Sequence, residues 1–494
     1  MKKVLLLLLG VLLALSAMAR NFAYTYEGET LTYTVIDEDA KTCMTAQQFG
    51  ELSENIVIPE KANDGTAQYT VVAIGENSFN HSNLKSVTIP GSVTEIRDYA
   101  FSSSNLTSVN IPASVTKIGM SAFDACNGLT SVTIPASVTE IGWYAFSGCY
   151  SLASVSILGS GVEIGLDAFN CWGGSLEKAE FASIEALCSM KFGSAESNPL
   201  TFAKHLYIDG SEVVDVVIPA TVTEICDWAF YQFENMASVS IPNSVTKIGR
   251  YAFSGCGLTS ILIPASVTEI GEWAFSGCGN TLVKAEFESI ESLCSIKFTD
   301  ALSNPLSCAK YLYIDGKEVV DVVIPETVTE IGNLAFCYYS NLKSVSIPNS
   351  VTRIGASAFS CCDGLTSVTI PAKITGIGQR AFFGCEWLTS VYYGAENPIL
   401  APDDVFEEIP RTATLYVPES AIAKCKETEP WKGFANIVAY DFSGIDEVVV
   451  RFDANLPVEV YDLNGVKVGD NTDGLLPGLY IRRQGTNAEK IFVK

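Results

Sequence analysis

A short string of residues returns every 22 or 23 positions along most of this chain. It reads LTSVTIPASVTEIGWYAFSGC at residues 129–149, and near copies begin at Leu106, Leu258 and Leu365. One unit of this length is too short to bury its own apolar side chains, whereas stacked copies bury them against one another. The repeat therefore predicts a solenoid in which each coil contacts its neighbours.

Within the unit, Val132 and Ile134 alternate with polar residues and so point to the same side of an extended chain. Pro135 then ends the strand because it has no amide hydrogen to donate. Gly142 is expected to permit a further bend, and Phe146 supplies a large inward side chain. The pattern predicts an α/β-type solenoid dominated by short parallel β-strands, with equivalent residues forming ladders about 4.8 Å apart.

The repeat divides the chain into five segments. Aromatic and aliphatic residues alternate before the first coil, and Trp431, Phe434 and Ile437 follow the last one, so both flanks can cover an exposed end of the stack. Asn464-Gly465 between apolar runs predicts a hairpin in the tail. We expect a signal peptide at 1–19, an N-terminal cap at 20–50, a repeat solenoid at 51–418, a C-terminal cap at 419–440 and a small antiparallel β domain at 441–494.

Two coils, at residues 181–218 and 287–324, are enlarged in the same way and lie 106 residues apart. In the first, Ile184 and Leu187 have helical spacing behind Ser183, a residue type that caps helix N-termini. Asp209-Gly210 then separates two apolar runs as a tight turn does. Each enlarged coil is predicted to contain a short helix followed by a hairpin.

The N-terminus has the pattern of an export signal. Lys2 and Lys3 precede an apolar run at 4–15, and the small residues Ala17 and Ala19 follow it. The run is too short for a membrane span, and no other stretch approaches 18 consecutive apolar residues. We expect cleavage after Ala19 and a mature chain without a transmembrane segment, secreted or displayed at the cell surface.

Charge and cysteine usage narrow the possible partners and chemistry. A formal net charge of −25 disfavours binding to nucleic acid. The fifteen cysteines are odd in number and follow the repeat, and six of them lie three residues after the repeat phenylalanine: Cys126, Cys149, Cys256, Cys278, Cys362 and Cys385. Because ladder side chains lie parallel, we expect buried free thiols in preference to disulfides.

Residues suited to catalysis do not form a recognisable set. His81 and His205 have no partner at triad or metal-site spacing, and no GxSxG, HExxH or phosphate-binding loop occurs. Glu180 and Glu286 occupy equivalent strands about 20 Å apart, too far to share one glycosidic bond. We interpret these carboxylates, with Asp209 and Asp315, as solvated and turn residues, and predict no enzyme, cofactor or metal site; a hydrolase is the less favoured alternative.

The residue before the repeat alanine is the better candidate for binding. It is aromatic in five coils, interrupted by Ser121 and Asp167: Tyr99, Tyr144, Trp228, Tyr251 and Trp273. Such a row, the aromatic edge, can stack on sugars or anchor a protein partner, or it can simply shield the gap between coils. A second candidate is the flat polar face formed by outward strand residues such as Thr107, Thr130, Thr133 and Ser240.

The repeat quoted above resembles the BspA-like class of bacterial leucine-rich repeats, in which proline replaces the usual asparagine after the L-x-x-V-x-I strand. The resemblance covers about residues 55–440, including the SIEALCSMKF, NPL and LYIDG segments of the enlarged coils and the WKGFANI end. It implies exported or surface-displayed proteins that bind host proteins, matrix proteins or neighbouring cells, and it implies no catalytic residues.

The last fifty or so residues contain VEVYDLNGVKV, GLYIRR and a terminal IFVK. They resemble the C-terminal sorting domains that the type IX secretion machinery of Gram-negative bacteria reads. That resemblance implies passage across the outer membrane and a tail that can be removed during anchoring; the alternative is a terminal β module with no sorting role.

These observations favour a noncatalytic adhesion protein whose solenoid contacts a macromolecule of a host, a matrix or a bacterial surface. The alternative is a glycan-binding module that places the aromatic edge against carbohydrate.

Overall fold

The computed structural model describes residues 20–171, 173–174, 176–442, 459–461, 467–469, 478–484 and 487–493. The predicted signal peptide at 1–19 lies outside these residues. Two compact units are present: unit 1 contains the described residues up to Ser292 together with Ile296–Gly316, and unit 2 contains Leu293–Ser295 and the described residues from Lys317 onward.

Unit 1 begins with five strands, of which the first three form an antiparallel ribbon: Asn21–Tyr26, Glu29–Asp37, Thr42–Thr45, Lys61–Asn63 and Gln68–Ile74. Its coils add longer strands at Asn55–Val57, Ser86–Thr88, Ser131–Ile134, Ser154–Ile157, Lys178–Phe181, His205–Ile208, Ser211–Val213, Asp215–Val217, Ser238–Ser240, Ser260–Ile263, Lys284–Phe287 and Tyr311–Ile314. A second edge of each coil carries two-residue strands at Glu95–Ile96, Lys117–Ile118, Glu140–Ile141, Glu163–Ile164, Lys191–Phe192, Glu224–Ile225, Lys247–Ile248, Glu269–Ile270 and Lys297–Phe298.

Unit 2 begins with the two-residue strand Lys317–Glu318 and then repeats this plan. Its longer strands are Asp321–Val323, Ser344–Ser346, Ser367–Ile370, Ser390–Tyr393, Thr414–Val417 and Asn436–Ala439, and its short ones are Glu330–Ile331, Arg353–Ile354 and Gly376–Ile377. The described α-helices are α1 (Ile184–Cys188), α2 (Ile290–Ser295) and α3 (Ile422–Cys425). The described 3₁₀ turns are Ala195–Ser197, Pro199–Thr201, Ala301–Ser303, Pro305–Ser307, Asp403–Phe406, Glu419–Ala421 and Trp431–Gly433.

The predicted ladder of equivalent residues is confirmed by the strand register. Ile134 pairs with Ile157, Ile157 with Phe181, and Phe181 with Ile208, all in parallel strands. Ile134, Ile157 and Phe181 are completely buried, and Ile111 of the preceding coil is 5% exposed. Each coil therefore covers the apolar side of the next one, as the repeat period requires.

A column of phenylalanines runs through the core of each unit. Adjacent rings are 5.0–5.7 Å apart between centroids and are tilted by at most 12° from parallel. In unit 1 the column contains Phe79, Phe101, Phe123, Phe146 and Phe169, then Phe230, Phe253 and Phe275; in unit 2 it contains Phe336, Phe359, Phe382 and Phe406. The rings stack because equivalent positions repeat in register and the backbone spacing leaves room for one ring per coil.

The third edge of the coil is a run of tight turns that still bonds to its neighbour. The Phe123 amide donates to the Ala145 carbonyl at 2.8 Å, and the Ser121 amide donates to the Trp143 carbonyl at 2.8 Å. Coils are thus joined by backbone hydrogen bonds here as well as along the strands.

The repeat glycine stands at the expected bend but is needed there for a second reason. The Gly142 carbonyl accepts the Ala145 amide at 3.3 Å and so begins a turn, yet Gly142 does not have a positive φ. A Cβ atom at this position would lie 2.4 Å from the Met120 backbone nitrogen of the preceding coil. Glycine is needed because two backbones approach closely.

The prediction of thiols in preference to disulfides is confirmed, since none of the fifteen cysteines forms a disulfide and twelve are buried. Eight thiols donate to the carbonyl of the repeat phenylalanine in the preceding coil at 3.0–3.8 Å: Cys126, Cys149, Cys171, Cys256, Cys278, Cys308, Cys362 and Cys385. Burial raises the pKa of the Cys126 thiol to about 11 and that of Cys385 to about 12. These cysteines are small core residues whose S–H also satisfies a buried carbonyl.

Both enlarged coils contain the predicted helix and hairpin. In the first, Ser183 caps α1 by accepting the Ala186 amide at 2.9 Å. His205–Ile208 and Ser211–Val213 pair antiparallel around the predicted Asp209-Gly210 turn. The second enlarged coil repeats the helix at α2, where Ser289 accepts the Ser292 amide at 3.1 Å.

The N-terminal ribbon is held by Arg20. Its guanidinium lies 2.7 Å from the Asp64 carboxylate and 3.0 Å from that of Glu38, and it donates to the Tyr69 hydroxyl at 2.6 Å. The Ala67 amide contributes most to holding the pKa of Asp64 well below its usual range. The first residues of the ribbon are therefore fixed in place by charged hydrogen bonds.

After the last regular coil, a group of aromatic side chains packs on the core of unit 2. Trp431 is completely buried, stacks on Tyr393 at 4.1 Å and donates its indole N–H to the Ile399 carbonyl at 2.8 Å. Phe434 is 7% exposed and contacts Phe406 edge to face. Both residues thus pack on aromatic side chains of the preceding coils.

The tail contains the predicted antiparallel sheet. Its four described strands lie in the order Lys467–Gly469, Glu459–Tyr461, Gly478–Gln484 and Asn487–Val493. The predicted Asn464-Gly465 turn falls outside the described residues. Among the helices that the structure describes, none has the length and apolar character to cross a membrane.

Candidate binding surface

All five residues of the aromatic edge lie in unit 1, on the turn segment of their coils. Each has a positive φ, between 55° and 60°. The Tyr144 amide donates to the Leu166 carbonyl of the next coil at 3.0 Å, and the turn around it closes through the Ala145 amide and the Gly142 carbonyl at 3.3 Å. Tyr144 therefore projects from a backbone that is hydrogen-bonded to the next coil and within its own turn.

The structure brings three of the five together. Trp228 stacks on Tyr251 with centroids 6.2 Å apart, and Tyr251 lies 5.7 Å from Trp273. Tyr99 and Tyr144 lie in coils separated by the Ser121 coil, so their neighbours on this edge are not aromatic. The edge is thus one continuous row of three rings and two isolated ones.

Packing alone explains only part of this row. Trp228 is 8% exposed, as a side chain that shields the gap between coils should be, whereas Tyr144 is 41% and Trp273 is 45% exposed. Tyr99 and Tyr251 are half-buried. Two of the five rings therefore stay accessible to a partner.

The coil geometry does not require an aromatic residue here. The same position carries Ser121, Asp167, Leu334, Ser357 and Arg380 in other coils, all with positive φ. A non-glycine residue in this region is strained by about 1–2 kcal/mol. Bulky, exposed rings at Tyr144 and Trp273 are thus not accounted for by folding.

Sequence reasoning missed several residues beside the edge. Trp143, 55% exposed, directly precedes Tyr144. Next to Tyr251 a cleft of about 360 Å³ is lined by residues from three coils, among them Glu196, Tyr231 and Arg250. No single repeat position contains these residues, so the pattern along one column did not reveal them.

The polar strand face is exposed as predicted at Thr107, Thr130, Thr133 and Ser240. The Thr107 hydroxyl donates to the Lys85 carbonyl of the preceding coil at 3.1 Å. The face consists of small hydroxyl side chains, at least one of which is already engaged by backbone. It offers a partner less apolar surface than the aromatic edge does.

Glu180 and Glu286 are held by lysine and backbone partners, so the expectation that they are solvated is wrong. Glu180 is 18% exposed, lies 3.1 Å from the Lys178 ammonium and accepts the Gly210 amide at 3.0 Å. Its pKa is lowered, mainly by the Ser156 hydroxyl. Glu286 is held in the same way by Lys284 and the Gly316 amide. Each carboxylate fastens the hairpin turn of its enlarged coil.

His205 lies on the exposed side of the first hairpin, with Nδ1 2.6 Å from the Glu212 carboxylate. Across the described residues, no group of three or more His, Cys, Asp or Glu side chains is arranged to hold a metal ion.

Stacked coils with register-paired isoleucines and a column of stacked phenylalanine rings define a leucine-rich repeat solenoid. Residues 61–195, 202–304 and 306–424 match the BspA type leucine-rich repeat region in six copies. The chain belongs to the BspA type leucine-rich repeat family.

Solved structures of similar proteins include a leucine-rich repeat protein from Bacteroides ovatus, 22% identical, with a TM-score of 0.52 over 83% of this chain and 98% of that one. A leucine rich cell surface protein from Faecalibacterium prausnitzii is 23% identical, with a TM-score of 0.32 over 85% of this chain and 95% of that one. The pneumococcal vaccine antigen PcpA is 16% identical, with a TM-score of 0.38 over 85% of this chain and 98% of that one. A comparison with curated proteins finds no match. At such identity, the Bacteroides ovatus structure supports the fold alone.

The positive φ of the edge gives a direct test. Replacing Trp273 by glycine should leave the chain more stable than replacing it by alanine, by about 1 kcal/mol, because both variants lose the ring but only alanine keeps the left-handed strain. Chemical denaturation of the two variants measures the difference in the free energy of unfolding.

The matched control is Thr133, which lies in an extended strand. There the order should reverse, with glycine less stable than alanine by about 0.5–1 kcal/mol. Equal stabilities for the two Trp273 variants would contradict the assigned backbone conformation.

Proposed function

We propose that this chain is an exported, noncatalytic adhesion protein of the cell surface, and that its solenoid binds a protein of a host, a matrix or a neighbouring cell through the aromatic edge. The observation that carries this proposal is the exposure of Tyr144 and Trp273 at a strained backbone position that other coils fill with serine, aspartate or arginine. Membership of the BspA type repeat family supports a binding role.

The chemistry of the edge suits a protein interface. Tyrosine and tryptophan dominate the energetically important positions of interfaces because they bury a large area with few rotatable bonds. Tyr251 and Trp273 lie side by side, and their backbone is fixed between hydrogen-bonded coils. With a net charge of −25, the chain favours partners with a basic surface.

The noncatalytic part of the proposal rests on how the candidate acids are engaged. Glu180 and Glu286 are occupied by lysine and backbone partners, so neither is available as a general acid or base.

A test of the edge uses the mature chain as bait in extracts of host matrix and of bacterial surfaces, with captured proteins quantified by mass spectrometry. We expect a variant with both Y144A and W273A to recover its specific partner at least about tenfold less efficiently, as for loss of an aromatic hot spot.

The control carries S121A and S357A, substitutions at the same coil position that remove no ring, and should capture as the native chain does. Undiminished capture by the double aromatic variant would contradict the proposal, and so would a native chain that recovers no macromolecule.

Export and anchoring form a second part of the proposal. The charged and apolar pattern of residues 1–19 supports cleavage after Ala19. Arg20, which would then be the first residue, is held by ion pairs with Asp64 and Glu38. The tail motifs support a type IX sorting domain, with a plain terminal β module as the alternative.

Mass spectrometry of the surface form tests both ends of the chain. The expected N-terminal residue is Arg20, and the expected C-terminus lies before the tail. A surface form that begins before Arg20 would contradict cleavage after Ala19. A surface form that retains Lys494 would contradict removal of the tail.

A second candidate function is glycan binding. It is favoured by the cleft beside Tyr251, which combines aromatic walls with a carboxylate and a guanidinium.

A further inference from the structure

The cleft next to Tyr251 lies where the first enlarged coil meets the two coils that follow it in unit 1. We propose that it is a binding site for one neutral pyranose unit of a glycan; the proposal deepens the second candidate function and rests on the binding role of this edge. The cleft has a volume of about 360 Å³ and is lined by residues 193–196 on one side and by Trp228, Tyr231, Arg250 and Tyr251 on the other. A volume at the small end of ligand pockets suits a sugar ring better than a peptide segment.

One wall of the cleft is built from stacked flat groups. The Arg250 guanidinium lies over the Trp228 ring, with Cζ 4.5 Å from its centroid. Tyr251 is nearly parallel to Trp228 at 6.2 Å, and Tyr231 meets Tyr251 at 85° with centroids 6.0 Å apart. Two tyrosine rings at right angles form a corner, and the apolar C–H face of a pyranose can pack against such a ring.

The polar groups of the cleft are only partly engaged by protein partners. The Glu196 carboxylate makes no hydrogen bond or ion pair within the described residues. The Arg250 Nε atom is buried without a hydrogen bond and forms a long ion pair with the Asp227 carboxylate, at 4.0 Å. A carboxylate with two acceptor oxygens and a guanidinium with a planar set of donors can each bind a pair of adjacent sugar hydroxyls.

Glu196 is held where the cleft needs it. It lies in the 3₁₀ turn Ala195–Ser197, whose first residue follows Ser194. The Ser194 hydroxyl donates to the Asp167 carboxylate at 2.9 Å, which ties the turn to the preceding coil. The backbone carbonyl of Glu196 accepts the Phe169 amide at 3.1 Å. The carboxylate thus projects from a fixed backbone.

The chain contains an internal comparison, because the enlarged coil recurs 106 residues later. The positions equivalent to Glu196, Trp228, Tyr231, Arg250 and Tyr251 carry, in that order, Leu302, Leu334, Cys337, Ala356 and Ser357. Leu334 and Ser357 keep the positive φ of their counterparts. The same backbone therefore forms with none of these five side chains, which means that folding does not require them.

Local charge decides between neutral and acidic sugars. The cleft lining contains one acid, Glu196, and one base, Arg250. The Arg250 Nε also lies 4.0 Å from the carboxylate of Asp227, a residue outside the lining, so the cleft offers no unpaired cation to an acidic sugar. A sialic acid or uronate carboxylate would be repelled by Glu196, whereas a neutral hexose or N-acetylhexosamine would not.

The test is a glycan array probed with the mature chain, containing neutral oligosaccharides that end in glucose, galactose, mannose or N-acetylglucosamine and, beside them, sialylated and uronate glycans. We expect retention of a subset of the neutral glycans, and titration of the strongest should change Trp fluorescence. E196Q and R250A should each weaken this binding about tenfold or more, as for loss of a charge-assisted hydrogen bond.

The controls are L302A in the second enlarged coil and S357A two coils after it, at the positions equivalent to Glu196 and Tyr251; both should bind within about twofold of the native chain. R250K serves as the folding control. It keeps a cation over Trp228 and should unfold at the same temperature as the native chain. Retention of no neutral glycan, preference for the acidic ones, or binding unchanged in E196Q and R250A would each overturn the proposal. The two proposals can fail separately, because neither Tyr144 nor Trp273 lines the cleft. If no glycan bound the cleft, loss of protein capture in the variant with Y144A and W273A would still support the aromatic edge as a protein-binding surface.

Discussion

The structure depends on contact between equivalent residues of adjacent coils. A unit of this length cannot surround its own phenylalanine, and Phe146 is completely buried only because Phe123 and Phe169 lie 5.0 and 5.3 Å away on either side. Backbone hydrogen bonds follow the same rule, because strands and turns alike donate to the next coil. Side chains that point inward are thereby fixed by the stack, and those that point outward are free to vary.

The core was predictable because the same inward positions recur in every coil. The period places Ile134 beside Ile157, and the same reasoning shows why Cys126 and Cys149 are core thiols that do not form a disulfide. The role of Gly142 was not predictable, since a glycine in one sequence does not reveal whether it serves a turn or a close approach. Glu180 was misjudged because its partner Gly210 lies on the far side of the enlarged coil, 30 residues along the chain.

The candidate site was only half visible in the sequence. The row containing Tyr251 and Trp273 follows one repeat position and could be read directly. The positive φ of this position could not be predicted from the sequence. The position is filled by tyrosine, tryptophan, serine and arginine in these coils, and not by glycine, the residue type that usually indicates a positive φ. The cleft was hidden because Glu196 comes from the irregular part of an enlarged coil, where the repeat gives no register.

Comparison of the two units separates the residues that the coil geometry requires from those that it only tolerates. The phenylalanine column recurs in both units, whereas the aromatic edge and the cleft side chains occur in unit 1 and are replaced in the corresponding coils of unit 2 by Leu334, Ser357 and Ala356. Residues that differ between copies of the same backbone are not required for folding, so they can be specialised for binding without loss of the fold.

A double-mutant cycle on the phenylalanine column measures most directly whether adjacent coils stabilise one another. Phe123→Leu and Phe146→Leu are combined in one cycle, and Phe123→Leu and Phe169→Leu, two coils apart, in a second. Direct stacking predicts a coupling free energy of about 0.5–1.5 kcal/mol for the adjacent pair and additivity within about 0.5 kcal/mol for the distant pair. Additive effects in the adjacent pair, or equal coupling in both, would contradict a core built from nearest-neighbour contacts.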